Sequence, residues 1–554
     1  MIRPGARRAA VGLIACGALL LCAIASCHGE LDAGYNLPKG GDAGNGGSDA
    51  GLCVPESMIE CYAGPAGTNG VGLCRPGTAI CNADGMAYGS CDGAVLPRAE
   101  DCATPVDEDC DGLAPPCVGA LLWRRGFGGA SIDEPAKGIA VDASDNIYIA
   151  GWYSDVIDFG GGPLRSAGGQ DVFVVKFDKA GTHLWSKRFG DAAPQYGASI
   201  ASDAYGNIFI VGRFSGVLDF GGGGALDAGT AINTFVAKLD ANGAHIWSKR
   251  FHDPVSPSPD SRRPHSISTD GAGNVVVTGN FTDSIDCGGS VLTSAGGVDL
   301  FVTKLDAAGS HLWSKRFGDA ADQVAIFATI DTDGGIHLTG DFGGAVDFGG
   351  GALISGGGQD VFIAKLDAAG DHVVSQRFGD MADQRGLDIA VNAAGDALVT
   401  GQFSGILDFG TGPLATAGTS TVFLARVSPL GQPLWSTRFG YESSQAGSGV
   451  AVDPGGSVLL TGFFSSSIDF GGGPMASAGN SDAFLAKLTL SAEKQHLWSK
   501  RFGDTAYQYG RSVATDSMGN VIITGLFTGV IDLGDGPLTS SAGGQDIFLA
   551  KFSP

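Results

Sequence analysis

The sequence lacks most of the features by which enzymes and nucleic-acid-binding proteins are recognised. It has 34 lysines and arginines against 58 aspartates and glutamates, which gives a formal net charge of −24. An acidic surface of this kind repels phosphate backbones and argues against nucleic acid as a partner. The sequence contains no G-x-S-x-G elbow, no H-E-x-x-H helix and no P-loop. Helical periodicity is absent as well, so these absences favour an all-β protein without a recognisable catalytic motif.

What the sequence has instead is a repeat of 61 to 66 residues, anchored at Trp123, Trp185, Trp247, Trp313, Val374, Trp435 and Trp498. A fixed period of this size indicates units that bury their faces against their neighbours. Within one unit, short apolar stretches predict strands at 199–203, 207–214, 234–240 and 245–251, with a long connection at 215–233. Four antiparallel strands per period are typical of a β-propeller blade.

The ends of the repeat region distinguish a closed propeller from the main alternative, an open β-solenoid. The region opens at Leu121 with a fourth strand that lacks the first three, and it closes at 546–553 with a third strand that lacks a fourth. Joined, the two ends complete a seventh blade and remove the exposed edges of an open sheet. We therefore predict a seven-bladed β-propeller over residues 118–554, with 121–127 antiparallel to 547–552.

Three segments of each unit carry a resemblance to a known family. In the first unit they are 158–164 (DFGGGPL), 171–176 (DVFVVK) and 183–190 (HLWSKRFG). They resemble the seven-bladed propeller repeats called SBBP, and the match runs from Val118 to the C-terminus. The resemblance implies a bacterial surface or secreted protein to which no reaction is assigned.

The N-terminus reads as an export signal rather than as part of the fold. Residues 1–26 combine a basic stretch with an apolar run, and Ile24-Ala25-Ser26-Cys27 resembles a bacterial lipobox. The resemblance implies cleavage before Cys27 and lipidation of that residue, with outer-membrane sorting as the default; the alternative is an uncleaved transmembrane anchor. Residues 27–52, rich in Gly and Asp, are predicted to be a flexible tether.

Residues 53–117 are predicted to form a small disulfide-rich module in an oxidising compartment. Without a Cys-x-x-Cys pair, zinc binding is disfavoured. An even set of cysteines in a short exported segment indicates disulfides, and the pairing stays open. The segments 63–68, 100–102 and 107–112 are similar to the MopE-like metal-binding motif. The eight cysteines are Cys53, Cys61, Cys74, Cys81, Cys91, Cys102, Cys110 and Cys117.

The same module contains a candidate calcium loop. Asp107, Asp109 and Asp111 precede Gly112 in the D-x-D-x-D-G spacing of an EF-hand-type loop, and the carbonyl of Leu113 would be the next ligand. The bidentate glutamate is missing, because the twelfth position is Val118. The alternative is an acidic turn held by a disulfide. Metal capture by this module is therefore one hypothesis for the function.

Two charged positions recur in all seven units and are expected to be structural. We expect ion pairs or turn caps, because charges buried between sheets need partners and an active site needs an asymmetric set. The acidic position is Asp158, Asp219, Asp286, Asp347, Asp408, Asp469 and Asp532. The basic position is Lys176, Lys238, Lys304, Lys365, Arg426, Lys487 and Lys551.

Recognition is expected on one rim of the ring, where the second-to-third and blade-to-blade loops are long. The one irregular insertion, 251–266, carries His252, Arg262, Arg263 and His265, which we predict to contact a partner, either a protein or a glycan. Taken together, the sequence predicts a surface lipoprotein whose propeller serves as a scaffold for binding or display. The alternative is a propeller lyase or hydrolase acting in the central channel.

Overall fold

The computed structural model describes residues 53–65, 67–97, 107, 110, 118–129, 134–252, 262–416, 418–440, 443–491, 493–541 and 544–554, apart from the side chains of 134–137 and 262. The chain divides into two compact units, Met1–Pro115 and Pro116–Pro554. The described part of the chain has no helix of the length and apolarity that crossing a membrane requires.

The N-terminal unit is a disulfide-linked hairpin. Strands β1 (Met58–Cys61) and β2 (Gly77–Ile80) pair antiparallel. Disulfides join Cys53 to Cys81, Cys61 to Cys91 and Cys74 to Cys110. Each closes a loop long enough to stabilise the fold by about 3–4 kcal/mol on the chain-entropy account. The predicted disulfide framework is confirmed for six cysteines, while Cys102 and Cys117 lie outside the described residues.

The C-terminal unit is a ring of seven four-stranded antiparallel blades, and its first strand in the sequence is β3 (Leu121–Phe127). Blades 1 to 3 comprise β4 (Glu134–Val141), β5 (Ile147–Tyr153), β6 (Val156–Asp158), β7 (Pro163–Arg165), β8 (Asp171–Phe177) and β9 (His183–Phe189); β10 (Gln195–Ser202), β11 (Ile208–Leu218), β12 (Leu226–Leu239) and β13 (His245–Phe251); and β14 (Arg262–Thr269), β15 (Val275–Phe281), β16 (Ser284–Ile285), β17 (Leu292–Thr293), β18 (Asp299–Leu305) and β19 (His311–Phe317).

Blades 4 to 7 repeat the pattern, with the strands β20 (Gln323–Ile330), β21 (Ile336–Phe342), β22 (Ala345–Val346), β23 (Leu353–Ile354), β24 (Asp360–Leu366) and β25 (His372–Phe378); β26 (Gln384–Val391), β27 (Ala397–Phe403), β28 (Ile406–Asp408), β29 (Pro413–Ala415), β30 (Thr421–Val427) and β31 (Pro433–Phe439); β32 (Gln445–Val452), β33 (Val458–Phe464), β34 (Ser467–Ile468), β35 (Met475–Ala476), β36 (Asp482–Leu488) and β37 (His496–Phe502); and β38 (Gln508–Thr515), β39 (Val521–Phe527), β40 (Val530–Asp532), β41 (Pro537–Thr539) and β42 (Asp546–Phe552).

Blade 7 closes the ring by joining the two ends of the repeat region. β3 pairs antiparallel with β42, from Leu121 opposite Phe552 to Phe127 opposite Ile547. β42 in turn pairs with β39, so β3 is the fourth strand of this blade. The predicted closure and the count of seven blades are confirmed. Closure removes the two sheet edges that an open array would expose.

The connection between the second and third strands differs from the prediction. In blade 2, residues 215–233 form a continuation of both strands, with Gly216 opposite Gly229 and Leu218 opposite Leu226. The other blades form a separate short hairpin there, such as β6 with β7. Glycine-rich tips allow these tight reversals, so the segment continues the sheet rather than leaving it as a loop. The first strand is also longer than predicted and begins at Gln195.

The core lies between neighbouring blades, which explains the nearly unbroken apolar runs of the second and third strands. Every residue of β8 is buried, because both faces of its sheet are covered. One core cluster joins Ile147 and Phe173 of blade 1 to Ile547 and Leu549 of blade 7. Burying each such large apolar side chain contributes about 1.5–3 kcal/mol to the free energy of folding. The seam of the ring is therefore packed like the other interfaces between blades.

Candidate functional site

The first strands of the seven blades line the central channel, and most carry a β-bulge at the same depth. The register with the second strand skips Ala198, His265, Leu387, Ser448 and Arg511 in blades 2, 3, 5, 6 and 7. A bulged residue is released from the ladder, and the bulge re-aims its side chain. We call this the bulge position. Lys137 and Ile326 are its sequence equivalents in blades 1 and 4. In blade 4, however, the register shift lies between Gln323 and Ala325, and Ile326 stays in the ladder opposite Gly340.

A cavity of about 170 Å³ lies in the channel, and every blade contributes to its wall. At ~30 Å³ per water molecule, it has room for about six waters. His265, Asp388 and Arg511 are its titratable lining residues among the described side chains, and they come from blades 3, 5 and 7. This set is asymmetric, unlike the charges that recur in every blade.

His265 is held in a defined orientation. The backbone N–H of Ile326 donates to its Nδ1 at 3.0 Å, and the imidazole ring stacks on Phe327 with ring centroids 5.7 Å apart. Because Nδ1 accepts a hydrogen bond, the proton of the neutral ring is on Nε2. His265 therefore brings an N–H donor to the channel wall.

Asp388 occupies a position that is a small polar residue in several other blades. Its Oδ2 accepts from the Val450 N–H of the next blade at 2.8 Å, as Ser266 Oγ accepts from Ala328 N–H at 2.9 Å. These bonds link neighbouring first strands around the channel. Asp388 thus performs the structural task of a serine and adds a negative charge to the cavity.

Arg511 and Ser448 are the polar bulge residues of blades 7 and 6. Arg511 is half-buried, and its guanidinium lies 6.0 Å from the centre of the Tyr509 ring. Ser448 is buried, and both residues line the same cavity. The channel therefore holds a guanidinium, an imidazole, a carboxylate and hydroxyls, a combination that can bind a small polar ligand.

The repeated lysine and tryptophan of the blades have a different task, which is to hold the next blade. Lys176 Nζ and Trp185 Nε1 both donate to the carbonyl of Ala241, at 3.2 and 3.1 Å. The same pair of donors recurs at Ala307 and Ala368. At the seam, Lys551 and Trp123 donate to Lys179 O, so this inter-blade clamp also spans the closure.

The predicted pairing between the repeated aspartates and lysines is wrong, although the structural role is confirmed. Asp158 caps the hairpin turn by accepting from the Gly160 and Gly162 N–H groups, at 2.7 and 3.1 Å. Asp158 lies in the connection that precedes β8, whereas Lys176 lies near the end of that strand. The basic residues pair instead with aspartates of the first-to-second turns, in Lys176–Asp142, Lys238–Asp203, Lys304–Asp270, Lys365–Asp331, Arg426–Asp396, Lys487–Asp453 and Lys551–Asp516.

The aspartate and glutamine of the blade-to-blade loops cap backbone groups. Gln195 Nε2 donates to Asp191 Oδ1 at 2.7 Å and to the Ser215 carbonyl at 3.0 Å, while Asp191 accepts from Val217 N–H at 2.7 Å. Burial alone would raise the pKa of Asp191, but these hydrogen bonds outweigh it and lower that pKa. The same bonds form at Gln323, Gln384 and Gln508. These aspartates and glutamines are therefore structural caps of the blade-to-blade loops.

The predicted partner residues do not share one surface. His265 lines the central cavity, whereas the backbone of His252 pairs with that of Asp286 in the second-to-third connection of blade 3. Arg263 is exposed, and the side chain of Arg262 lies outside the described residues. A partner contact through these four residues stays a prediction.

Most of the predicted lipid and metal residues fall outside the described residues, namely Cys27, Asp109, Asp111 and Leu113. Asp107 is described and buried, and its carbonyl accepts from Leu73 N–H at 2.9 Å. Among the described side chains, no three His, Cys, Asp or Glu residues form a metal-binding group. Calcium binding therefore stays a prediction.

Sequence reasoning missed Arg511 and Asp388. The first strand was expected to begin at Ser199, one residue after the bulge, so the bulge position was not aligned between units. Aligning the full first strands would have shown one position that varies in size and charge. A position that varies within an otherwise regular repeat is the signal of a recognition surface.

No family model matches the chain. It is similar to an uncharacterized WD repeat-containing protein of Acanthamoeba polyphaga mimivirus, with 20% identity over 512 residues that cover 74% of this chain. The chain spans only 36% of that relative's length.

Among solved structures it is similar to an ulvan lyase, at 12% identity, with a TM-score of 0.41 and coverage of 76% of this chain and 97% of the lyase. It is also similar to Sqt1 from Chaetomium thermophilum, at 12% identity, with a TM-score of 0.35 and coverage of 77% and 86%. TM-scores this low carry no argument about function.

Proposed function

We propose that this chain is an exported bacterial lipoprotein, anchored at Cys27 in the outer membrane, whose propeller is a binding scaffold at the cell surface. One observation carries the binding role. The charges repeated in every blade are used in turn caps and inter-blade contacts, while the asymmetric set of His265, Asp388 and Arg511 lines one cavity. The disulfides support export, because such bridges persist in oxidising compartments.

The anchor is tested separately from the binding role. Cells expressing the chain are labelled with a clickable palmitate analogue, and membrane and soluble fractions are separated. The lipoprotein assignment is supported if the wild-type chain is labelled and found in the membrane fraction, while Cys27→Ala is unlabelled and found in the soluble fraction. A chain that keeps Met1 and stays in the membrane without label is a transmembrane protein and contradicts it.

The binding role is tested by capturing ligands on the immobilised chain from an envelope extract and from a glycan panel. Binding that falls with Arg511→Ala and persists with Arg165→Ala places it in the channel. Arg165 is a matched control, because it is an exposed arginine on a second-to-third hairpin. Equal capture of the ligand by the wild type, Arg511→Ala and Arg165→Ala contradicts a binding site in the channel.

As part of the same proposal, the N-terminal unit is an SBBP-associated, MopE-like calcium module. Asp107, Asp109 and Asp111 supply carboxylates and Leu113 a carbonyl, the oxygen ligands that Ca²⁺ prefers. Calorimetry of the full chain with CaCl₂ is expected to give one saturable site, which Asp109→Asn with Asp111→Asn removes. No heat at millimolar Ca²⁺ contradicts the module's metal role.

The cavity also favours a second candidate, a lyase or hydrolase acting in the channel, because its titratable groups come from three non-equivalent blades. The Nε2–H of His265 would act as a proton donor. A screen of polysaccharides and esters would show turnover that His265→Gln abolishes. Saturable capture of a ligand that stays chemically unchanged favours the binding role.

A further inference from the structure

We infer that the mouth of the central channel binds a neutral polysaccharide, whose sugar rings pack against two aromatic patches on the wall of that mouth. This inference rests on the proposed binding role of the propeller and names the chemical class of its ligand. The first aromatic patch consists of Trp152, Pro194 and Tyr196, and the second consists of Phe463, Tyr507 and Tyr509.

The two aromatic patches are built in the same way, each at a boundary between neighbouring blades. In the first patch, Trp152 of blade 1 meets Tyr196 of blade 2, with ring centroids 5.4 Å apart and ring planes at 81°. In the second patch, Phe463 of blade 6 meets Tyr509 of blade 7, with centroids 4.8 Å apart and planes at 81°. Edge-to-face packing of this kind fixes the orientation of the rings.

Both patches lie at the end of the channel where the blade-to-blade loops enter the first strands. Tyr196 and Tyr509 are the second residues of β10 and β38, which line the channel. Pro194 and Tyr507 directly precede the same strands, and both are exposed, Tyr507 to 46%. The rings of Tyr507 and Tyr509 are nearly parallel, with 9° between their planes. A ligand at the mouth of the channel therefore lies against these rings.

The fold does not require aromatic residues at these places, because other blades fill them differently. In blade 5, the residue equivalent to Trp152 and Phe463 is Gln402, and the tyrosine position of blade 6 is Ala446. In blade 3 the equivalent residue is Asn280, whose side chain donates to the backbone of the next blade at 2.6 Å. Partly exposed aromatic rings that the scaffold can do without are typical of a recognition surface.

The chemistry of the patches fits pyranose rings. The C–H face of a sugar ring packs against an aromatic ring, while the sugar hydroxyls bond to the few polar groups placed around it. Amide side chains accompany both patches. The Tyr196 hydroxyl donates to Gln170 Oε1 at 3.3 Å, and Asn480 Nδ2 donates at 3.2 Å to the Thr505 carbonyl, in the loop that carries Tyr507.

Two further features favour a neutral polymer. The chain carries a formal charge of −24, which repels a polyanion but not an uncharged chain. The two patches are equivalent sites on one mouth, with blades 7 and 1 between them. A ligand that repeats the same unit along its length can contact both patches at once, so a long fragment should bind more tightly than a short one.

The test is calorimetry of the full mature chain with cellohexaose, laminarihexaose and maltohexaose, which are neutral hexasaccharides that differ in linkage. We expect saturable binding of at least one of them, with the corresponding disaccharide weaker by about tenfold or more, because it reaches only one patch. Hexagalacturonate is the acidic probe. No binding of any neutral hexasaccharide at millimolar concentration, or equal binding of hexagalacturonate, overturns the inference.

Variants show whether the two patches form the site. Trp152→Gln and Phe463→Gln copy the residue of blade 5, and each is expected to weaken hexasaccharide binding about tenfold. Gln402→Ala is the matched control, because it changes the same position at a boundary without an aromatic pair, and it should bind as wild type does. Thermal melts confirm that each variant is folded. Unchanged binding by the folded double variant of Trp152 and Phe463 overturns the assignment.

The envelope-extract capture is run on the same preparations. Capture of a protein or an acidic polymer, without binding of any hexasaccharide, shows that the ligand class is wrong and leaves the binding role standing. If the chain captures nothing and binds no hexasaccharide, the binding role fails as well.

Discussion

At the scale of single residues, one histidine and one glycine form a matched pair in five of the seven blades. The histidine that begins the fourth strand packs under the second-to-third hairpin, and a β-carbon on Gly350, for example, would collide with the His372 ring. Blade 5 has Pro433 instead of the histidine and Thr411 instead of the glycine. Thr411 Oγ1 then bonds Ser436 Oγ at 2.7 Å, where other blades use the histidine Nε2. The histidine is therefore a packing residue.

We expect Gly350→Thr to lower the free energy of unfolding by about 2 kcal/mol, because it overpacks the His372 ring. Adding His372→Pro should recover at least half of that loss, since the pair then copies blade 5. Urea unfolding of the wild type, the two single variants and the double variant measures the coupling. Strict additivity of the two changes would show that the pairing is incidental.

A second residue-scale feature is the buried His337, whose Nε2 donates to Asp331 Oδ2 at 2.9 Å. Burial lowers the pKa of His337, more than the neighbouring carboxylate raises it. Burial also opposes ionisation of Asp331, but hydrogen bonds from Lys365, His337 and Gly335 N–H outweigh it and hold the pKa of that carboxyl at about 2. At the equivalent place in blade 1, the Tyr148 hydroxyl donates to Asp142 at 2.9 Å.

Because the pKa of His337 is lower in the folded chain, the unfolded chain binds the proton more tightly. Stability is therefore expected to fall as the pH drops below the unfolded value of about 6.5. His337→Tyr should remove this part of the pH dependence by copying blade 1, and Tyr148→His should introduce a similar one there. Urea midpoints at pH 8 and pH 5 measure both, and identical pH dependence in the wild type and His337→Tyr would contradict the account.

At the scale of the elements, the inter-blade clamp explains why tryptophan and lysine recur. Trp247 Nε1 and Lys238 Nζ both donate to Ala307 O, at 3.1 and 3.3 Å. Trp498 is buried to the same extent, but its Nε1 has no hydrogen-bond partner among the described residues. The turn it would bind is interrupted in blade 7, where Gly119 meets Pro554.

This difference makes Trp498→Phe a matched control for Trp247→Phe. Both substitutions remove the same atoms from equally buried sites, but only the second removes an indole N–H that donates to a carbonyl. We expect Trp247→Phe to lower the free energy of unfolding by about 1 kcal/mol more than Trp498→Phe does. Chemical unfolding of the two variants side by side measures the difference, and equal costs would show that the clamp stabilises through packing alone.

At the scale of the whole molecule, the ends of the repeat region meet where a turn would otherwise be. Gly119 N–H donates to Pro554 O at 3.3 Å, and Ser553 N–H donates to Ala120 O at 2.8 Å. The seam is a third-to-fourth turn that has been cut, with the flanking strands still paired. The position of the cut is therefore interchangeable with the same turn in another blade.

A circular permutant tests this. Pro554 is joined to Gly119 by a short Gly-containing turn, and the chain is opened between Asn242 and Gly243, with residues 1–117 kept at the new N-terminus. We expect a folded chain with an unchanged melting temperature, because one blade again takes strands from both ends. Deleting 546–554 instead removes the partner of β3 and should cause aggregation. A permutant that does not fold would show that this seam is specialised.

The sequence alone was enough for the number of blades, their antiparallel order and the closure. These follow from the period and from a fourth strand at Trp123 without its first three, and any chain with that pattern must bury the same faces. It was also enough to show that the repeated charges are structural, because a position filled in all seven blades cannot form a single site.

Tertiary structure decided which residues meet. Lys176 pairs with Asp142 and not with Asp158, because the strand carries its ammonium to the other rim. His265, Asp388 and Arg511 are separated by more than a hundred residues of chain, and they line one cavity only because the ring returns every first strand to the same axis. Local pattern determines strands and turns, whereas contacts across a closed ring depend on its curvature and on bulges that a repeat period does not reveal.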